Sequence, residues 1–156
     1  MADDSQELGK LRDQIDAIDG ELLRLINERA KLARRIGEIK QGNIYRPERE
    51  AQVLGRVAER NPGPLPAVAA QRIVREIMSA CLALEQPLNI AFLGPSGTYS
   101  ESAARKHFGS APSLQACSGI DDVFRAVESG NAHYGVVPIE NSTEGAVHHT
   151  FDMFLT

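Results

Sequence analysis

In the stretch RLINERAKLA, residues 24–33, an arginine occupies a position that its neighbours reserve for aliphatic side chains. Leu8, Leu11, Ile15, Ile18, Leu22 and Leu25 recur at spacings of three and four, Leu32, Ile36 and Ile39 keep the same register, and Arg29 falls on that seam. A cation there is costly unless it is paired or meets an anion. Lys40 lies close to three turns further on, on the face of Arg29 and roughly 16 Å away along the axis. Two long cationic side chains so placed suit opposite ends of one small anion. Arg12 is roughly 25 Å before Arg29 and rotated by about 100°, so within one chain it does not reach the same ligand. In an antiparallel dimer it would reach the partner's site. Arg49 and Glu50 sit in the first turn of a second helix, and Glu85 sits on the apolar face of a third. Periodicity alone leaves two readings open: a register-setting charge in a coiled coil, or a helical bundle that binds an anion.

The elements that must position these groups change character near Pro87. The first helix is expected from about Leu8 to about Lys40, ended by Gly42 and Asn43. At nearly 50 Å, by about 1.5 Å per residue, it is too long for a small domain unless it packs along other helices. Pro47 suits the first turn of the second helix, PEREAQVLGRVAER, which stops at NPGPLP. The third helix is expected from Ala67 to Glu85, with Val74, Ile77, Met78, Cys81 and Glu85 on its inner face. Three such helices cannot bury all their apolar faces alone, which implies an intertwined homodimer.

Past Pro87, strand and helix alternate: strand LNIAFLG, loop PSGTYS, helix ESAARKHF with Gly109 as its stop, strand LQACS, helix IDDVFRAVES closed by Gly130, strand HYGVVPIE, and a last helix from near Ala146. That order indicates a parallel sheet with covering helices, of about three strands. Ligands of such sheets bind at the carboxyl ends of the strands. Here those ends bring Ser96, Thr98, Asn141, Ser142 and Thr143. Thr98 and Glu101 also have the spacing of a capping box. His148 and His149 read as helix-surface residues. A sheet with so few strands is open at its edges and prone to disorder or aggregation.

The 156 residues carry a net charge of −4, which argues against nucleic-acid binding. Cys81 and Cys117 offer neither a disulfide framework nor metal spacing. The sequence has no apolar run of membrane-spanning length, and MADDSQELGK does not read as a signal peptide. The expected compartment is the cytoplasm.

The segments LRDQIDAIDGELLRLINERAKLARRIGEIK, YRPERE and REIMSACLALEQP together resemble the all-helical class of chorismate mutases. NIAFLGPSGTYSESAA and YGVVPIENSTEGAV resemble the start of a prephenate dehydratase domain. Their order is that of the bifunctional chorismate mutase–prephenate dehydratases of phenylalanine synthesis. The resemblance implies an all-α mutase domain at residues 1–87, dimeric and intertwined, followed by a partial α/β dehydratase domain at 88–156. It implies chorismate and prephenate as small-molecule partners. It gives Arg29 one substrate carboxylate, Arg12 of the other subunit the second, Lys40 the ether oxygen and a carboxylate, and Glu50 the substrate hydroxyl, with Arg49 lining the site and helping to orient Glu50, and it implies no metal or cofactor. Some members of the class have glutamine where this chain has Glu85. A carboxylate cannot donate to the ether oxygen, but a protonated carboxyl can. Burial and a bound dianion raise its pKa, and Arg29 and Lys40 oppose that. Cys81 stands where some members have serine, and Arg46 where some have an acid.

A structural dimerisation module and a sensor of aromatic amino acids are the competing readings. The family's Thr-Arg-Phe motif and its phenylalanine-binding domain do not occur in these residues. A polypeptide of these 156 residues is therefore expected to lack dehydratase activity. The check is phenylpyruvate formation from prephenate at neutral pH, which should not exceed the uncatalysed rate.

Overall fold

The computed structural model describes residues 2–40, 45–141 and 145–155. Gly42 and Asn43, expected to end the first helix, lie outside them, as do Ser142 and Thr143. Three helices come first: α1 (Ala2–Lys40), α2 (Pro47–Arg60) and α3 (Ala67–Glu85). Pro47 opens α2, and Glu48 and Glu50 occupy its first turn, where the helix dipole favours acids. Pro66 precedes α3 in an extended conformation, with the φ that its ring fixes. Helix α1 starts six residues earlier than expected, because no proline interrupts the chain before its apolar seam.

The two faces of α1 have different fates. It packs on α3 through Ile26, Arg29, Ala30, Ala33 and Gly37, which are half-buried. The aliphatic seam lies one position round the helix. All nine of its residues, from Leu8 to Ile39, are between 48% and 73% exposed. Arg29 stands on the border between the two faces. Helix α2 covers the other side of α3, where Leu54 is buried and its carbonyl accepts from Gln71 Nε2 at 3.0 Å.

The α/β unit contains β1 (Asn89–Leu93), α4 (Tyr99–Phe108), β2 (Ser113–Cys117), α5 (Ile120–Glu128) and β3 (Tyr134–Val136). The strands pair in parallel in the order β2-β1-β3. Central β1 is apolar on both faces, as a strand covered on both sides must be. Ile90 enters one core with Leu88, Ala104 and Phe108, and Ala91 enters the other with Val123 and Ala126. The unit therefore has its own packed interior despite its open edges.

Several sequence expectations need correction. The segment HYGVVPIE is strand only at Tyr134–Val136, since Pro138 has no N–H to continue a ladder. The parallel sheet has the three strands expected, and among the described residues Glu140–Asn141 (β4) adds a separate antiparallel ribbon with Gly145–Ala146 (β5). The last helix, α6 (His148–Met153), starts after that ribbon rather than near Ala146. Helix α4 begins at Tyr99, two residues early. The capping box does not form: Glu101 accepts from the Gly97 N–H at 2.7 Å, and the Thr98 hydroxyl donates to the Leu93 carbonyl at 3.3 Å.

The two parts meet at the end of α4. Ser79 Oγ of α3 donates to the Phe108 carbonyl at 2.7 Å, and Glu76 accepts from the Ser110 N–H and hydroxyl at 3.1 and 2.6 Å. Gly109, at φ 79° and ψ −167°, makes this approach possible. A Cβ there would lie 2.5 Å from that of Ser79, and only glycine adopts this backbone region readily. Gly109→Ala should destabilise the protein by about 3 kcal/mol, adding backbone strain to overpacking. Urea unfolding followed by circular dichroism would read this as a lowered midpoint. An unchanged midpoint would show that the two parts are not docked in this way.

Candidate active site

A cleft of about 280 Å³ opens between the C-terminal half of α1, the start of α2, the face of α3 and the end of α4. Ala33, Ile36, Val53, Met78, Leu82 and Phe108 give it apolar walls. Into it come five cations, Arg29, Lys40, Arg46, Arg49 and Arg75, against two carboxylates, Glu50 and Glu85. A cation excess in a partly apolar cleft, within a chain of net charge −4, is an electrostatic environment that suits an anion.

Helix geometry puts these groups together. Arg29, Ala33, Ile36 and Lys40 recur on one face of α1. Cys81 and Glu85 are one turn apart on α3, and Cys81 is 3% exposed. Gly37 lets α1 approach Glu85 closely, since a Cβ on it would lie 3.0 Å from the Glu85 carboxylate. That contact removes water from Glu85. Burial pushes its pKa up from the usual 4.5, and the opposing pull of Lys40 and then Arg29 does not cancel the shift.

Glu50 has a different environment. Its Oε1 accepts from Arg75 Nε at 3.2 Å, in a pair whose side chains are 14% and 30% exposed. The expectation that Arg49 orients Glu50 therefore needs amending, because Arg75 makes that contact. Tyr45, 6% exposed, lies beside Glu50 in the cleft wall and meets His107 Nε2 through its hydroxyl at 3.0 Å. Burial, and then the neighbouring Glu50 charge, hold its phenol well above the usual value.

Of the sequence candidates, Arg29, Lys40, Arg49, Glu50, Cys81 and Glu85 line this one cleft. Arg12 is exposed on α1, well away from it, as the spacing requires. Arg75, Tyr45 and Phe108 were not among the candidates. Arg75 had a readable signal: it shares the α3 stripe of Met78, Leu82 and Glu85, so it is a charge within an apolar face, like Arg29. Tyr45 and Phe108 meet only through tertiary packing.

Ser96 and Thr98 lie in the loop after β1, and Asn141 lies in β4, which follows β3. The parallel pairing sends both segments from the same edge of the sheet. His148 and His149 are exposed, and His149 Nε2 is 3.0 Å from the Asp121 carboxylate. Cys81 and Cys117 are free thiols, both buried. Among the described residues, no helix is long and apolar enough to cross a membrane, and no group of three or more His, Cys, Asp or Glu is arranged to hold a metal ion.

Comparison with known proteins places this geometry. The family model described as chorismate mutase type II matches residues 11–86, and the model for prephenate dehydratase matches residues 90–156. A bifunctional chorismate mutase/prephenate dehydratase of Neisseria gonorrhoeae is 55% identical over 143 residues, covering 91% of this chain and 40% of that protein. One from Pseudomonas aeruginosa is 51% identical and covers 99% of this chain and 44% of its own length. The chain thus spans about two-fifths of the length of these curated relatives. A solved chorismate mutase (form II) from Thermus thermophilus is 34% identical, with a TM-score of 0.50, and the match covers 51% of this chain and 94% of that one. The chain belongs to the chorismate mutase type II family, and its helical part is joined to a prephenate dehydratase segment in the order named for its bifunctional relatives.

Proposed function

We propose that residues 1–87 form a chorismate mutase domain, converting chorismate to prephenate, and that residues 88–156 form part of a prephenate dehydratase domain of a bifunctional enzyme of phenylalanine biosynthesis. The observation that carries this reading is the cleft lined by five cations and two carboxyls, one of which, Glu85, has its pKa raised beside Lys40 and Arg29. Chorismate is a dianion. Its rearrangement is intramolecular: an ether carbon–oxygen bond breaks while a carbon–carbon bond forms. The reaction needs no nucleophile, metal or cofactor. The protein must hold the compact conformer and favour the charge of the transition state.

The roles are those that the family resemblance implies, and donor chemistry agrees with them. Arg29 binds one carboxylate, since a planar guanidinium matches it with two parallel hydrogen bonds. Arg12 of the partner subunit binds the other. The support for a homodimer is the exposed aliphatic seam of α1, too long and apolar to be left to water. As the ether bond breaks, its oxygen gains negative charge and becomes the ketone of prephenate. Lys40 and protonated Glu85 donate to that oxygen, and fixed donors in a cleft sheltered from water lower the barrier. Glu85 keeps its proton throughout. Glu50, held by Arg75, accepts from the substrate hydroxyl. Arg49 and Cys81 line the bound ligand. In the α/β part, Ser96, Thr98, Asn141, Ser142 and Thr143 are the prephenate-binding candidates. The cytoplasm is the proposed compartment.

The sign of the pH dependence follows from Glu85. The protonated form is the donor, and it is lost as pH rises through the raised pKa. A bound dianion raises that pKa further. Turnover of chorismate should fall as pH rises between about 5 and 8, and Glu85→Gln should flatten the profile. Stability has the same sign. The folded chain binds this proton more tightly than the unfolded one, so this group's contribution is full below pH 4.5 and declines as pH rises through the folded pKa. A flat wild-type rate profile would sink the role of Glu85.

Arg29→Leu separates an enzyme from a dimerisation module. It should cut kcat/KM by roughly 100-fold or more, the scale of losing a charge-assisted contact to the substrate. The dimer, followed by sedimentation, should persist at equal or greater stability. A variant that still turns over chorismate at the wild-type rate would make Arg29 a seam residue only.

A further inference from the structure

The cleft is not built by the three helices alone. Phe108 stands in its wall and belongs to α4 of the α/β part. We propose that the end of α4 completes the mutase site: His107 braces Tyr45, and Tyr45 in turn holds Glu50 in position for the substrate hydroxyl. This rests on the mutase reading above and adds positioning residues to it.

Three observations support it. First, Tyr45 precedes α2 in the chain but is packed with the α/β part. It shares a core with Leu88, Ile90, Ala104 and Phe108, and its ring centre is 5.4 Å from that of Phe108 and 5.3 Å from that of Tyr134. Its position is therefore set by α4 and the sheet. Second, the end of α4 is itself fixed on α3 by the Ser79 hydrogen bond to the Phe108 carbonyl and by the close approach of Gly109 to Ser79. Third, the Tyr45 hydroxyl meets His107 Nε2 at 3.0 Å, and Tyr45 and Glu50 line the same cleft, near enough for the Glu50 carboxylate to interact with the phenol. The nearby Glu50 charge is among the causes that keep this phenol protonated.

Proton inventory then fixes direction. A phenol has one proton to donate, and a carboxylate only accepts. With that proton directed at Glu50, the phenol oxygen is free to accept from His107, whose ring must carry its hydrogen on Nε2. Glu50 thereby has two orienting donors, Arg75 of α3 and Tyr45, the second of them held by the α/β part. The substrate hydroxyl is not a reacting group, and its charge changes little between chorismate and the transition state. Contacts to it bind both states nearly equally, so a misplaced Glu50 raises KM more than it lowers kcat.

The test is steady-state kinetics on chorismate with the full chain and its Tyr45→Phe, His107→Leu, His107→Gln, Glu50→Ala and Tyr45→Phe/Glu50→Ala variants. Tyr45→Phe keeps the ring stack, and His107 is exposed, so these variants should melt close to the wild type. Tyr45→Phe and His107→Leu should each raise KM about tenfold with kcat within about twofold. His107→Gln, which retains an N–H donor, should restore the wild-type KM. Tyr45→Phe should add nothing once Glu50 is alanine, which has no acceptor for the phenol. Wild-type KM in Tyr45→Phe or His107→Leu would overturn the inference. So would a raised KM in His107→Gln, or a Tyr45→Phe effect that persists undiminished beside Glu50→Ala, which would make Tyr45 a packing residue. An inactive wild-type chain would overturn the mutase reading itself; an active one with indifferent variants would overturn only this addition.

Discussion

The close contact of α1 with α3 at Gly37 and Glu85 is the constraint on which the site depends. Glycine inside a helix costs about 1 kcal/mol relative to alanine. Here it gives a close approach, with a carboxylate oxygen 3.0 Å from where a Cβ would be, so that a larger residue would require Glu85 to shift. The same contact brings Arg29 and Lys40 to the rim of the pocket in which Glu85 loses water. Two cations beside a carboxyl should lower its pKa, yet burial wins. A modest desolvation outweighs two nearby charges when those charges remain partly in water and are screened by it. The result is a cleft with cations in excess and a carboxyl disposed to keep its proton. That combination is poorly satisfied without an anion.

A second constraint couples the halves of the chain. Tyr45 sits in the connection between α1 and α2, but its ring is buried among residues of β1, α4 and β3. The helical part therefore lends a core residue to the α/β part, and the α/β part lends Phe108 to the cleft. Exchange of this kind makes the boundary near Pro87 a change of architecture rather than a break in packing. The Ser79 and Glu76 hydrogen bonds, and Gly109 at its positive φ, hold the two surfaces in register.

Local signals in the sequence fix much of this, and non-local ones are silent. The bounds of α2 and α3 are legible because proline marks their starts, and because a polar, proline-rich segment separates them. The parallel sheet is legible because strands and helices alternate, and β1 is apolar on both faces. Arg29, Lys40 and Glu85 are found as charges at helical spacing on or near apolar stripes, Glu50 is tied to the site only by the family resemblance, and Glu85 has the raised pKa that its position implies. What periodicity misses is set by contacts between segments distant in sequence. The seam of α1 does not face α3 but lies one position round the helix, because the angle of approach is decided by Gly37, Ala33 and Ala30, small residues carrying little hydrophobic signal. The β4–β5 ribbon is only two residues per strand, too short to show alternation. Arg49 and Arg75 both carry the charge that Glu50 requires, and only the crossing of α2 with α3 decides that Arg75 makes the contact.

The exposed seam connects these points to assembly. Burying a leucine or isoleucine side chain gains roughly 1.5–3 kcal/mol, and nine such residues line one edge of α1. An isolated chain leaves that gain unrealised. Arg29 belongs to the border of this same edge, so whatever covers the seam also covers the outer side of the cleft. A second α1 laid antiparallel would bring its Arg12 towards Arg29, since the two positions are separated by about 25 Å along a helix of about 58 Å. The seam and the cleft thus share the Arg29 edge of α1, and on the dimeric mutase reading proposed above one packing event would satisfy both the apolar seam and the second carboxylate of the substrate.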